Sequence, residues 1–177
     1  DPIADYGSFG FDVDGYLPCP FPPPTESSLE LVPTEIAVYQ PCGGVFGVDL
    51  RVNNIYNLTA FEVCLGYNPA FLEFDSVVID PGFLGGTGRD VFPLPPAACT
   101  PTCQPSGVRF GAYTAGSENA PSGSGRLATI RFSPRGMGAA TDSLCLQNWE
   151  FTNDDLPPTI IPLNAVHGLA ITHVPFC

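Results

Sequence analysis

The stretch VFGVDLRVNNIYNLTAFEVCLGYNPAFLEFDSVVI, Val45–Ile79, decides how this chain folds. Phe46, Val48, Leu50 and Val52 alternate with Gly47, Asp49, Arg51 and Asn53, the period-two pattern of a strand with one apolar face. The asparagine-rich segment 53–57 is turn chemistry. Phe61, Val63, Leu65 and Tyr67 then alternate with Glu62, Cys64 and Gly66, which turns Cys64 away from that strand's apolar face. Asn68-Pro69 is a second turn, leading into a strand over Leu72–Ile79.

The same pattern recurs outward in both directions. Glu35–Tyr39, Val108–Tyr113, Gly125–Phe132, Leu144–Trp149, a short piece around Ile160-Ile161, and Val166–Val174 all read as strands. With 21 prolines and 19 glycines spread along the chain, few windows of a dozen residues could hold a helix. The region 80–106 reads as irregular, and its glycine-rich Gly82–Gly88 as a turn, since it has neither the lysine nor the following helix of a phosphate loop. About eight or nine strands suffice for two packed sheets, so the fold class is all-β, a two-sheet β-sandwich. The sandwich is expected over residues 29–177. Residues 1–28 form an extended, proline-rich arm with one strand at about 8–14.

A chain of 177 residues is one domain in size and, at 44% hydrophobic residues, can bury a substantial core. Eighteen acidic residues face six arginines and no lysine, a net charge of −12. That balance argues against nucleic acid and anionic lipid as partners, and is compatible with divalent cations. The missing lysine removes Schiff-base chemistry, lysine–asparagine isopeptide cross-links and lysine-dependent pilus polymerisation. Cysteine is then the available means of covalent assembly. No apolar run approaches the ~20 residues of a membrane span. The opening DPIADYG reads as a mature N-terminus after removal of a leader, so secretion to the cell surface is expected.

Seven scattered cysteines without a Cys-x-x-Cys pair fit disulfides in an oxidising compartment. Cys42, Cys64, Cys99, Cys103 and Cys145 are candidates for bonds within the chain. Cys19, in the proline arm, and Cys177, at the end, are the most peripheral and are candidates for a bond to another chain. Asn57-Leu58-Thr59 is a glycosylation sequon, with Asn57 at a strand turn.

Three segments carry a family resemblance: Val45–Ile79, then GFLGGTGRDVF, then VRFGAYTAG through the strand GRLATIRF to WEFTNDD. With Tyr67-Asn68-Pro69 after a strand and the closing GLAITHV, they resemble the cohesin family, over about residues 30–174. They are most similar to free-standing cohesin-like modules of bacterial and archaeal surface proteins. The resemblance implies a nine-stranded jelly-roll sandwich that binds a partner through one sheet face. Two features depart from it: cohesins are usually poor in cysteine, and the N-terminal arm has no counterpart.

Motifs for catalysis are weak. His167 and His173 fall six apart on one predicted last strand, would share a face, and lack a serine or cysteine nucleophile, so both are read as structural. Glu62, Glu73 and Glu150 are ordinary solvent-face carboxylates on the pattern alone. Trp149, the only tryptophan, is assigned to packing in the core or under a loop. No cofactor is required. Asp12 and Asp14, in DVDG, resemble a fragment of a calcium loop and are the candidate metal ligands, without the closing glutamate of a full loop.

The arm carries the sharpest functional expectation. Phe9, Phe11 and Val13 alternate with Gly10, Asp12 and Asp14, and the run PCPFPPP predicts a polyproline II spacer of about 20 Å. A strand held off by such a spacer suits β-augmentation of another subunit, giving a fibre or surface layer of identical subunits. The alternative is a cohesin-like binding module that recognises a dockerin-type protein or a polysaccharide.

Overall fold

The computed structural model describes residues 27–39, 44–135, 139–163 and 165–174. The strands are β1 (Ser28–Val32), β2 (Glu35–Tyr39), β3 (Phe46–Ile55), β4 (Leu58–Tyr67), β5 (Leu72–Ile79), β6 (Asp90–Cys99), β7 (Ser106–Ala115), β8 (Gly123–Pro134), β9 (Ala140–Asn153), β10 (Ala165–His167) and β11 (Leu169–Val174). One short helix, α1 (Pro81–Leu84), follows β5. Two sheets form, in the order β10-β1-β3-β8-β5 and β2-β11-β9-β4-β7-β6. The β1–β10 and β2–β11 pairs are parallel and the remaining pairs antiparallel. This is the expected all-β sandwich.

Alternation builds the core. Leu29, Leu31, Val48, Leu50, Val52, Ile130 and Phe132 of the first sheet face Phe61, Val63, Leu65, Phe110, Leu144 and Phe151 of the second, all almost fully buried. Phe132 is the centre of an aromatic group, with Tyr67 at 5.4 Å, Phe46 at 6.0 Å and Phe74 at 6.1 Å between ring centroids. Helix α1 closes one end of the sandwich. The Asp80 carboxylate accepts from the Gly82 N–H and caps it, and Leu84 drops fully into the core.

Four readings of the sequence need correction. The segment 90–99, read as irregular, is β6. Its Pro93, Pro95 and Pro96 are tolerated because β6 has only β7 beside it among the described strands, which leaves one side of its backbone needing no donors, and because a bulge between Leu94 and Ala97 takes Pro95 and Pro96 out of the ladder to β7. Ile160 is not in a strand but makes a single bridge to Thr152. The predicted last strand is two: the chain breaks at Gly168, leaving β10 in the first sheet and β11 in the second, so the two histidines lie on different sheets. Trp149 is 40% exposed instead of packed. Between Glu62/Glu150 and Cys64/Gln147, β9 spends one residue more than β4, and Asn148 takes a left-handed φ of 46°. This bulge resets the alternation, bringing Phe151 into the core and leaving Trp149 outside.

Among the described residues two disulfides staple the second sheet, Cys64–Cys99 and Cys103–Cys145, closing 35 and 42 residues of sequence. Cys19, Cys42 and Cys177 lie outside the described residues. On a chain-entropy account each closure is worth about 3–4 kcal/mol. Replacing Cys64 and Cys99 together by alanine is therefore expected to lower the unfolding free energy by about that amount, read from urea unfolding with midpoint and slope both fitted, the slope steepening as the denatured chain is freed.

His173 is buried to 1% exposure and its ring stacks on Phe71 at 4.9 Å. Desolvation lowers its pKa, against a smaller raising influence of Asp142. The folded state thus holds a neutral imidazole, and below the ordinary histidine value of about 6.5 the unfolded chain takes up a proton that the folded one refuses. Stability contributed by His173 is complete above that value and is lost as pH falls through it toward the lower folded value. Thermal melts between pH 7.5 and 5.5 should show the midpoint of the parent falling more than that of His173→Phe. Equal slopes in the two proteins would remove His173 from the pH response.

Candidate partner-binding face

The outer face of β9-β4-β7-β6 is where the sequence concentrates groups that do not serve the core. On β4 the inward set Phe61, Val63 and Leu65 leaves Ala60, Glu62, Cys64 and Gly66 outward. On β7 the inward set Val108, Phe110 and Ala112 leaves Gly107, Arg109, Gly111 and Tyr113 outward. The antiparallel register then sets Glu62 opposite Gly111, which is opposite Leu94 of β6, and Tyr113 opposite Phe92.

Two halves of this face differ. Over one half runs a strap, residues 99–105. Cys99 at the end of β6 reaches across β7 to Cys64 on β4, and Cys103 reaches Cys145 on β9. The strap lies flat because the positions beneath it are bare backbone. A Cβ at Gly107 would stand 2.7 Å from Pro101 and 2.8 Å from Cys99 Sγ, and one at Gly66 2.7 Å from Cys145 Sγ. The Thr102 N–H donates to Gln147 Oε1 at 2.6 Å, and Gln104 Nε2 donates to the Ser143 carbonyl at 2.7 Å.

The other half is open. A shallow hollow of about 210 Å³ is lined by Ala60, Glu62, Leu94, Tyr113, Glu150 and Thr152. In the register Gly111 lies between Glu62 and Leu94. Beside it Phe92 and Tyr113 stack across the strands at 5.0 Å and 16°, with 41% and 46% exposure. Glu62 and Glu150 are direct cross-strand partners, a like-charge pairing that costs stability in a sheet. Arg109 answers one of them, its Nε 3.8 Å from Glu62 on an exposed surface. Glu150 has no ion-pair partner among the described residues.

The remaining sequence candidates fall elsewhere. Phe9, Phe11, Val13, Asp12 and Asp14 lie outside the described residues. Glu73, grouped by pattern with Glu62 and Glu150, sits on the other sheet and pairs with Arg135 at 3.0 Å. Asn57 occupies the β3–β4 turn with a left-handed φ of 52°, and its N–H donates to Ser122 Oγ at 2.9 Å. Asp80, a loop carboxylate by sequence, is engaged twice: the Gly82 N–H and the Arg126 guanidinium at 2.6 Å hold it below the ordinary aspartate range. Among the described residues no three His, Cys, Asp or Glu side chains are arranged to hold a metal, and no helix is long and apolar enough to cross a membrane. The aromatic pair escaped the sequence reading because Phe92 lay in a segment taken as irregular. Its only signal was the alternation of Val91, Phe92, Pro93 and Leu94, masked by prolines.

No family model and no curated protein matches the chain by sequence. Solved structures do. A non-cellulosomal cohesin from the hyperthermophilic archaeon Archaeoglobus fulgidus superposes with a TM-score of 0.57 at 17% identity, over 84% of this chain and 91% of that one. The seventh ScaB type I cohesin from Pseudobacteroides cellulosolvens gives 0.59 at 16% identity, over 86% and 94%. The third ScaC cohesin of Acetivibrio cellulolyticus, solved in complex with the ScaB dockerin, gives 0.58 at 11% identity, over 84% and 99%. The two-sheet sandwich described here therefore has the cohesin fold.

Proposed function

We propose that this chain is an extracellular, non-enzymatic binding module that recognises a protein partner of the dockerin type with the open half of the β9-β4-β7-β6 face. The observation that carries the reading is the exposed Phe92–Tyr113 ridge beside a shallow hollow, on a sheet whose other half is strapped down. Aromatic anchors next to a small concavity, with charge at the rim, are the anatomy of a protein-binding hot spot. The under-neutralised Glu62–Glu150 pair calls for a cationic side chain on the partner. A polysaccharide is less well served: two rings stacked on each other offer edges and one outer face, and not a row of flat platforms. Solved relatives in complex with dockerins support the choice of partner class. The two disulfides support an oxidising compartment.

Titration calorimetry against a panel of purified, calcium-loaded type I dockerins tests the reading. At least one should bind. The double variant Phe92→Ala with Tyr113→Ala should weaken it by a factor of about 30 or more, as hot-spot truncation does. Glu150→Gln should mainly slow association and flatten its salt dependence. Arg131→Ser, exposed on the first sheet, should change nothing. A panel that fails throughout, or binding indifferent to the aromatic pair, overturns the proposal.

A further inference from the structure

Each sheet of the sandwich ends in two edge strands, and an edge is a template for another strand unless something blunts it. Three of the four edges are blunted. Strand β10 has three residues, β2 has five, and β6 carries Pro93, Pro95 and Pro96. Strand β5 is the least blunted. It runs eight residues without a proline, and although Glu73, Asp75 and a bulge between Phe74 and Ser76 mark its first half, Ser76–Ile79 is regular and apolar apart from Ser76, with β8 on one side and no described strand on the other.

The space beside β5 is apolar. Val77, Val78 and Ile79 face the Pro93–Pro96 segment of β6 across a groove of about 400 Å³. A second groove of about 280 Å³ continues it, with Phe74 on one wall and Pro96, Ala97 and Ala98 on the other. Together they make a seam between the sheets that follows β5 from Phe74 to Ile79, roughly 17 Å at strand rise. Its two walls are unlike. The free backbone of β5 can donate and accept a ladder of hydrogen bonds, whereas the prolines of β6 have no N–H at these positions and offer only apolar surface.

We propose that this seam accepts residues 8–14 of a second copy of the same chain. The occupant is argued from the sequence that precedes β1. Phe9, Phe11 and Val13 recur every second residue, so a strand there puts all three on one side and Gly10, Asp12 and Asp14 on the other. Their span of roughly 13 Å fits the length of the seam. Added to β5, such a strand turns its apolar side onto the β6 prolines and Phe74, and its acidic side to water. The donor is a second copy because of reach. Ser28 pairs with Asn53 at the same end of the first sheet as Ile79, and β1 and β5 are three strand spacings apart, roughly 14 Å. The proline run at 18–24 alone predicts a stiff spacer of about 20 Å, and the arm continues on both sides of it. Spacer and offset do not match, so reaching the chain's own seam would require the arm to double back around its stiff run, whereas a neighbour's seam takes it extended. The contact is heterologous, so it propagates.

Two variants of the full chain test this. Phe9→Asp with Phe11→Asp removes the donor face, and Pro95→Glu with Pro96→Glu, at two exposed positions, puts charge into the acceptor. Light scattering coupled to size exclusion should show the parent growing with concentration and each variant alone staying at the 18.7 kDa of one chain. Mixed in equal amounts, the two variants should form a dimer and nothing larger, since one supplies a strand and the other a seam. Unchanged thermal melts of both variants confirm that each is folded. A parent that stays monomeric at about 1 mM, growth that survives either variant, or a mixture that fails to pair overturns the proposal. A parent that is monomeric but destabilised by both variants would place the arm in its own seam, which also overturns it. Dockerin titration of the Phe9→Asp/Phe11→Asp variant, which leaves β6 unaltered and stays monomeric, reads the Phe92–Tyr113 face separately.

Discussion

The register of β4 is the constraint on which the rest depends. This strand pairs with β7 on one side and β9 on the other, at the middle of the second sheet. Its odd-numbered residues Phe61, Val63 and Leu65 fill the core, and its even-numbered Ala60, Glu62, Cys64 and Gly66 make the outer face. A slip of one residue would send three large apolar side chains into water, at roughly 1.5–3 kcal/mol each, and bury a glutamate. Because that slip is so costly, everything on the outer face is fixed in place. The hollow, the Glu62–Glu150 pairing and the anchor for the first disulfide all follow from which side of β4 is apolar.

The strap illustrates how covalent closure and small residues act together. A disulfide spanning from β6 to β4 must pass over β7, and any side chain at position 107 would stand in its way. Gly107 and Gly66 weaken their strands slightly by giving up side-chain packing. The strap supplies that cover in their place, so both glycines are buried beneath it, and the cysteines hold it down. The outcome is asymmetric. On one half of the face the sheet itself lies under the strap, while the half containing Gly111 has no strap over it and carries the hollow between Glu62, Leu94 and Tyr113.

Much of this architecture is legible in the sequence because β-sandwich strands state their faces in a period of two. The strands at Phe46–Val52, Phe61–Tyr67 and Ala128–Phe132 could be read directly, with the correct residues inward. What escaped has physical causes. Prolines hid β6, since an edge strand obeys weaker rules than a central one. A single bulge at Asn148 moved Phe151 to the core side, against the parity set by Leu144 and Leu146, while Trp149 kept the outward side that parity gives it, and no local pattern announces a bulge. The break at Gly168 divided one apparent strand between two sheets. The candidate site was the least legible, because it is made by register: Phe92 and Tyr113 are 21 positions apart in sequence, and only cross-strand pairing shows that they touch.

Strand β6 is the wall shared by both surfaces. Leu94 lines the hollow on the outer face and the seam beside β5, with Pro93 and Pro95 on either side of it. An edge strand with one neighbour is held by fewer hydrogen bonds than a central strand, so away from its disulfide at Cys99 β6 shifts more readily than β7 or β4. A strand seated in the seam would pack against β6 from one side, while a partner on the face would press Leu94 and Phe92 from the other. Any coupling between the two therefore passes through the placement of β6, and reciprocity requires that each occupant alter the affinity of the other by the same factor. The prolines that deny β6 a second ladder also stiffen it, which favours transmission of a small shift over its absorption. Blunting an edge and forming the wall common to the hollow and the seam are thus consequences of the same residues.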